Sequence, residues 1–69
     1  MHLPLHLSHT TDGTPLAIGR TPQEALTRGR VLCVRDADLS RETTYHQGSP
    51  AHLRALIPNL DDQLRELDL

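Results

Sequence analysis

Between Ser49 and the end of the chain, Leu53, Leu56, Ile57, Leu60, Leu64 and Leu67 recur every three or four residues. That spacing places them on one stripe of an α-helix, and such a stripe needs an apolar surface to cover it. Pro58 falls inside the stripe. It removes an intrahelical hydrogen bond and its ring collides with the preceding turn, so the pattern predicts two short helices, about 50–57 and 60–68, within a broken helical segment at 50–68. Ser49-Pro50 opens the first with a capping hydroxyl and a proline at the first helical position. Asn59 can cap the second, and Asp61 and Asp62 place negative charge at the positive end of its dipole. The stripe must be covered either by the chain's own second layer or by another chain.

The other end of the chain suggests that layer. Leu3, Leu5 and Leu7 alternate with His2, Pro4, His6 and Ser8, the period of a strand with leucines on one face. Pro4 cannot donate to a ladder and points to an edge or an irregular start. Asp12-Gly13 is a turn pair that tolerates positive φ, and Pro15–Gly19 can return as a second arm, giving a hairpin over 2–19. Thr21-Pro22-Gln23-Glu24 then marks a helix start: a capping hydroxyl, a proline at the first position and a glutamate at the reciprocal capping-box position. Gly29 offers a stop, after which Val31–Val34 reads as a third, buried strand. A helix running on through Gly29 is the other possibility, at a cost of roughly 1 kcal/mol relative to alanine. Arg35–Gly48 is polar; Asp38 or Ser40 can cap a short helical turn, and Gln47-Gly48-Ser49-Pro50 is a break. The expected fold is α+β: residues 1–69 as a single small domain, with a short antiparallel sheet packed against two or three short helices.

Size limits such a domain. A chain of 69 residues buries only about 60% of the surface its unfolded form exposes. Phe and Trp are absent and Tyr45 is the only aromatic, so leucines supply most of the apolar mass. Each contributes roughly 1.5–3 kcal/mol when fully buried, against a comparable entropic cost of ordering the chain. Self-association enlarges a core of this kind and makes a homodimer a natural expectation. All seven cations are arginines and the net charge is −2, which argues against a strongly basic nucleic-acid-binding surface. Charge is uneven: residues 1–35 carry four Arg against Asp12 and Glu24, whereas 36–69 carry three Arg against seven carboxylates. Cys33 has no partner for an intrachain disulfide. The N-terminus lacks a signal-peptide pattern and no run approaches the roughly 20 apolar residues of a membrane span. The expectation is a cytoplasmic protein without a membrane partner.

No chemical constellation stands out. His2 and His6 share a strand face while His9 falls on the other parity; Cys33, His46 and His52 are distant in sequence. A structural zinc site needs about four converging ligands, often in close pairs, and no such pair is present, so no metal or cofactor is expected. Cys33 sits in an apolar run, where a thiol packs and stays inert. The serines lack a G-x-S-x-G context, and no glycine loop cradles a phosphate. Asp36 and Asp38 could point the same way from an extended segment, but paired carboxylates alone do not establish hydrolysis without a pocket and perturbed proton affinities. Helix capping explains Asp61 with Asp62. A small metal-binding or thiol enzyme is therefore the least favoured reading, and no catalytic residue is assigned.

Two binding readings remain. Asp38-Leu39-Ser40-Arg41-Glu42-Thr43-Thr44-Tyr45-His46 resembles, over nine residues, the second helix of helix-turn-helix repressors. The resemblance implies a small DNA-binding transcriptional regulator contacting a groove or phosphates through Ser40, Arg41, Thr44 and Tyr45. The favoured reading is a small noncatalytic protein-binding regulator, self-associating or bound to another protein. Leu53, Leu56, Leu60, Leu64 and Leu67 would be its anchors, one turn apart, as in helix-in-groove recognition. On that reading Leu60→Asp or Leu64→Asp abolishes association and leaves the fold soluble. If the stripe instead covers the N-terminal strands, the same leucines are core.

Overall fold

The computed structural model describes residues 3–33 and 35–67. Outside them fall the expected start of the first strand at His2, the end of the Val31–Val34 run and the end of the last helix at residue 68. The chain runs β1 (Leu3–Thr10), β2 (Pro15–Gly19), α1 (Pro22–Leu32), a 3₁₀ turn (Asp36–Asp38), β3 (Leu39–Gly48), α2 (Pro50–Leu56) and α3 (Leu60–Glu66). The three strands form one antiparallel sheet in the order β2-β1-β3. The fold is α+β.

The hairpin turns where Asp12-Gly13 predicts it. Gly13 takes φ 95°, a left-handed conformation that costs glycine little. Asp12 Oδ1 accepts hydrogen bonds from the hydroxyl of Thr10 and from the backbone N–H and hydroxyl of Thr14. The β1–β2 register slips between Ser8 and His9. There the buried Ser8 hydroxyl donates to the Ala17 carbonyl at 3.1 Å and accepts from the Ala17 N–H at 3.2 Å.

Alternation along β1 sends side chains to two faces of the sheet, each packed at least in part against helices. Leu5 and Leu7, with Ile18 opposite Leu7, pack against Leu53, Ile57, Leu60 and Leu67. The other face, bearing Ser8 and Ala17, lies under α1. Thr21 caps α1 by accepting from the Glu24 N–H at 3.1 Å, and the Glu24 carboxylate reaches back to the N–H of Arg20 at 2.8 Å. Pro58 breaks the C-terminal segment as expected. Ser49 caps α2 through the His52 N–H, whereas the Asn59 side chain leaves the start of α3 uncapped and takes a hydrogen bond from Gln63 Nε2. α3 then folds back along β2 to reach α1, where Arg28 pairs with Glu66 at 2.5 Å. No helix among the described residues is long and apolar enough to cross a membrane.

Three expectations are corrected. α1 does not stop at Gly29 but continues to Leu32, so residues 31–32 are helical and no strand forms there. Val31 is 82% exposed and Leu32 also faces out. The glycine serves packing: a Cβ at Gly29 would sit 2.4 Å from Ser8 Oγ and 3.0 Å from Ser8 Cβ. Cys33 follows as the C-cap residue, half-buried, with its thiol donating to the Arg35 carbonyl at 3.1 Å, and is not a core thiol. The third strand comes later, from the polar segment: after the 3₁₀ turn, Leu39–Gly48 is extended along its whole length. The recognition helix implied by the repressor resemblance does not form.

Candidate functional site: the open edge of the sheet

The sheet has two edges, and they are treated differently. In antiparallel strands the N–H and C=O of one residue point to one neighbour and those of the next residue point the other way. On β2, the Ile18 N–H donates to Gln63 Oε1 at 2.7 Å and the Leu16 carbonyl accepts from Gln63 Nε2 at 3.0 Å. The buried Gln63 amide thus stands where a fourth strand would pair. This edge is also short, five residues beginning with a proline, two usual ways of blunting an edge.

The same alternation fixes the far edge. Since Leu16 and Ile18 point away from β1, Gly19 points towards it and is met by His6. Leu5 and Leu7 therefore turn towards β3, where His46 and Thr44 face them. Thr43, Tyr45 and Gln47 are left with N–H and C=O directed outward. Among the described residues no side chain or loop bonds to those groups. β3 is ten residues long, contains no proline and carries the β-favouring run Thr43-Thr44-Tyr45 at its centre. An edge of this kind is a template for a further strand.

Side chains on β3 face both ways. Thr44 and His46 lie on the face of Leu5 and Leu7, with the Thr44 hydroxyl and His46 Nε2 hydrogen-bonded at 2.9 Å. They line a shallow hollow with Leu7, His9, Pro15 and Leu56. Tyr45 lies on the α1 face, 57% exposed, with its ring tilted against His6 at a centroid distance of 5.2 Å. Thr44 and Tyr45 therefore do not share one surface, as contacts on a recognition helix would.

The anchors expected on the C-terminal stripe divide. Leu53, Leu60 and Leu67 are buried in the chain's own core, and Leu64 packs partly buried against it. Leu56, 38% exposed, is the one of the five at the surface, and it faces the β3 hollow. The stripe closes the sheet, and its Leu56 shoulder lines the hollow on the sheet face beside Thr44 and His46. The histidines are separated: His6 is against Tyr45, the His9 Nδ1–H donates to the Thr10 carbonyl, and His46 is against Thr44. Among the described residues no three metal-ligating side chains converge.

Sequence reasoning missed both edge features. Gln63 had a signal: it lies three residues after Leu60 and four before Leu67, inside the apolar stripe. For β3 the signal was the run of two threonines and a tyrosine. No family model, curated protein or solved structure matches the chain.

Proposed function

We propose that this chain is a small noncatalytic protein-binding regulator that captures an extended polypeptide segment by adding it to its sheet at β3. The observation behind the reading is the asymmetry of the two edges. Gln63 takes up the outward groups of β2, whereas the ten-residue β3 leaves those of Thr43, Tyr45 and Gln47 directed at solvent. Strand addition draws affinity from main-chain hydrogen bonds and specificity from side chains on alternate positions. Tyr45 on one face, and on the other Leu56 across the hollow that Thr44 and His46 line, supply exposed apolar surface. Regulation would follow from holding or masking the bound segment, with no turnover step. The lone unpaired Cys33 agrees with a reducing, cytoplasmic setting.

Hydrogen exchange resolved to single amides tests the reading. In the assembly isolated from the native host, the amides of Thr43, Tyr45 and Gln47 should exchange at least tenfold more slowly than in the isolated chain diluted to monomer. Equal exchange at these three amides in the two states overturns it.

A further inference from the structure

We infer that the strand added to β3 is β3 of a second copy, paired antiparallel about a two-fold axis through Thr44, so that two three-stranded sheets become one of six. This inference rests on the proposed binding edge and names its occupant.

The register follows from symmetry and from which groups are free. A two-fold axis between adjacent antiparallel strands stands perpendicular to the sheet, so each residue keeps its face and only registers with an even residue sum are allowed. Centring on Glu42 sets a carboxylate against its own copy, which is destabilising. With Thr43 at the centre, Leu39 would have to join the ladder opposite Gln47, yet the Leu39 N–H already donates to the Asp36 carbonyl. A Tyr45 centre joins Thr43, Tyr45 and Gln47 to one another but pairs only residues 42–48, the shorter ladder. The Thr44 register gives the longer ladder, 40–48: it joins Thr43 to Tyr45 of the partner subunit and sets Gln47 opposite Arg41 of the partner subunit, in the stretch where the β1–β3 register shifts.

Side chains agree with that register on both faces. Glu42 comes opposite His46 of the partner subunit, an acceptor against a ring N–H, and the two-fold repeats the pair. On the α1 face, Tyr45 meets Thr43 of the partner subunit, an aromatic against a β-branched side chain, a favoured cross-strand pair. The exposed side of Leu56, which lines the same hollow as Thr44 and His46, is brought near the axis. No like charges meet.

A cysteine scan with mass measurement tests this. In a Cys33→Ser background, Thr44→Cys places the two thiols opposite each other in a non-hydrogen-bonded pair, with Cα atoms about 4.5 Å apart, within the span of a disulfide. Thr43→Cys and Tyr45→Cys place theirs on diagonals of about 7–8 Å. The expected result is light scattering at twice the 7.7 kDa chain mass, falling to one chain on dilution. Under mild oxidation Thr44→Cys should cross-link at least tenfold faster than either neighbour. Thr43→Pro, which removes an outward N–H and leaves the β1 ladder intact, should raise the dissociation constant at least tenfold with an unchanged circular dichroism spectrum. A single-chain mass at every concentration overturns self-pairing but leaves the binding edge to be judged by exchange in the native assembly. A dimer that survives Thr43→Pro and cross-links at none of the three positions overturns both. Preferred cross-linking at residue 43 or 45 overturns the register. The cysteine variants decide the matter even where the proline variant fails to fold.

Discussion

Gln63 Oε1 accepts the amide hydrogen of Ile18 at 2.7 Å, across 45 residues of sequence. Its Nε2 donates to the Leu16 carbonyl on the same edge and to Asn59 Oδ1, so one buried amide closes β2 and ties the entry of α3 to the sheet. Gln63→Met keeps the volume and removes donor and acceptor together. The Ile18 N–H is then buried without a partner, and stability should fall by about 1–3 kcal/mol, read as a lower urea midpoint at constant slope. Gln63→Glu should lie between the two, because a carboxylate still accepts from Ile18 but cannot donate to Leu16. A Gln63→Met midpoint equal to wild type would show that the bracket contributes nothing.

Leu60 and Leu56, four residues apart, should give opposite phenotypes. Leu60 is 0% exposed in the core and Leu56 is 38% exposed at the β3 hollow. Leu60→Ala should cost about 2–5 kcal/mol, a large share of the few kcal/mol that hold a domain of this size. Leu60→Asp, expected from the stripe alone to spare the fold, should unfold it, since it puts an unpaired charge into the core. Leu56→Ala should change stability by about 0.5 kcal/mol or less while weakening association of the intact chain. Thermal melts of both variants, with light scattering on Leu56→Ala, separate the roles; equal destabilisation would contradict this division of the stripe.

Most one-residue signals in the sequence were obeyed, Asn59 excepted, whose side chain bonds Gln63 and caps nothing. Thr21 caps α1, Pro58 splits the last helix, Gly13 makes the turn, and Leu5 and Leu7 face inward. The misreadings came where tertiary contact outweighs local preference. Gly29 is a stop by propensity, but its missing side chain lets α1 lie against Ser8, and that packing carries the helix on. β3 lacks the apolar alternation of a strand because no helix fully covers the row Arg41 to Gln47; its conformation comes from pairing with β1, with lighter contact to α1 and α2. The candidate edge was hidden for the same reason, since an edge is a property of strand order, which no single segment encodes.

The contact between Gly29 and Ser8 makes a coupled pair. Gly29→Ala gains helix propensity, worth about 1 kcal/mol, but its methyl would meet Ser8 Oγ at 2.4 Å and Leu39 Cδ1 at 3.4 Å. Overpacking of this kind costs about 1–3 kcal/mol, so the net effect should be destabilising. Ser8→Ala removes the nearer clash together with the hydroxyl bonds to Ala17. The double variant should therefore be more stable than the sum of the single effects by at least about 0.5 kcal/mol. Additive denaturation midpoints would mean that α1 moves off the sheet without resistance.

Asp12 gives a pH dependence with a definite sign. Hydrogen bonds from the Thr10 hydroxyl first, then from the N–H and hydroxyl of Thr14, hold its carboxyl below the ordinary aspartate range. The folded chain thus favours the ionised form more than the unfolded chain does. The resulting stabilisation is complete above the unfolded value of about 3.9 and is lost as pH falls through the lower folded value. Asp12→Asn retains an acceptor oxygen and removes the charge. The difference in Tm between wild type and Asp12→Asn should be constant above about pH 5 and shrink towards zero below about pH 3. All three donors are neutral, so added salt should change the difference little, unlike an exposed ion pair. A Tm difference that stays the same from neutral pH to below about pH 3 would show that the ionised carboxylate is not what the turn holds.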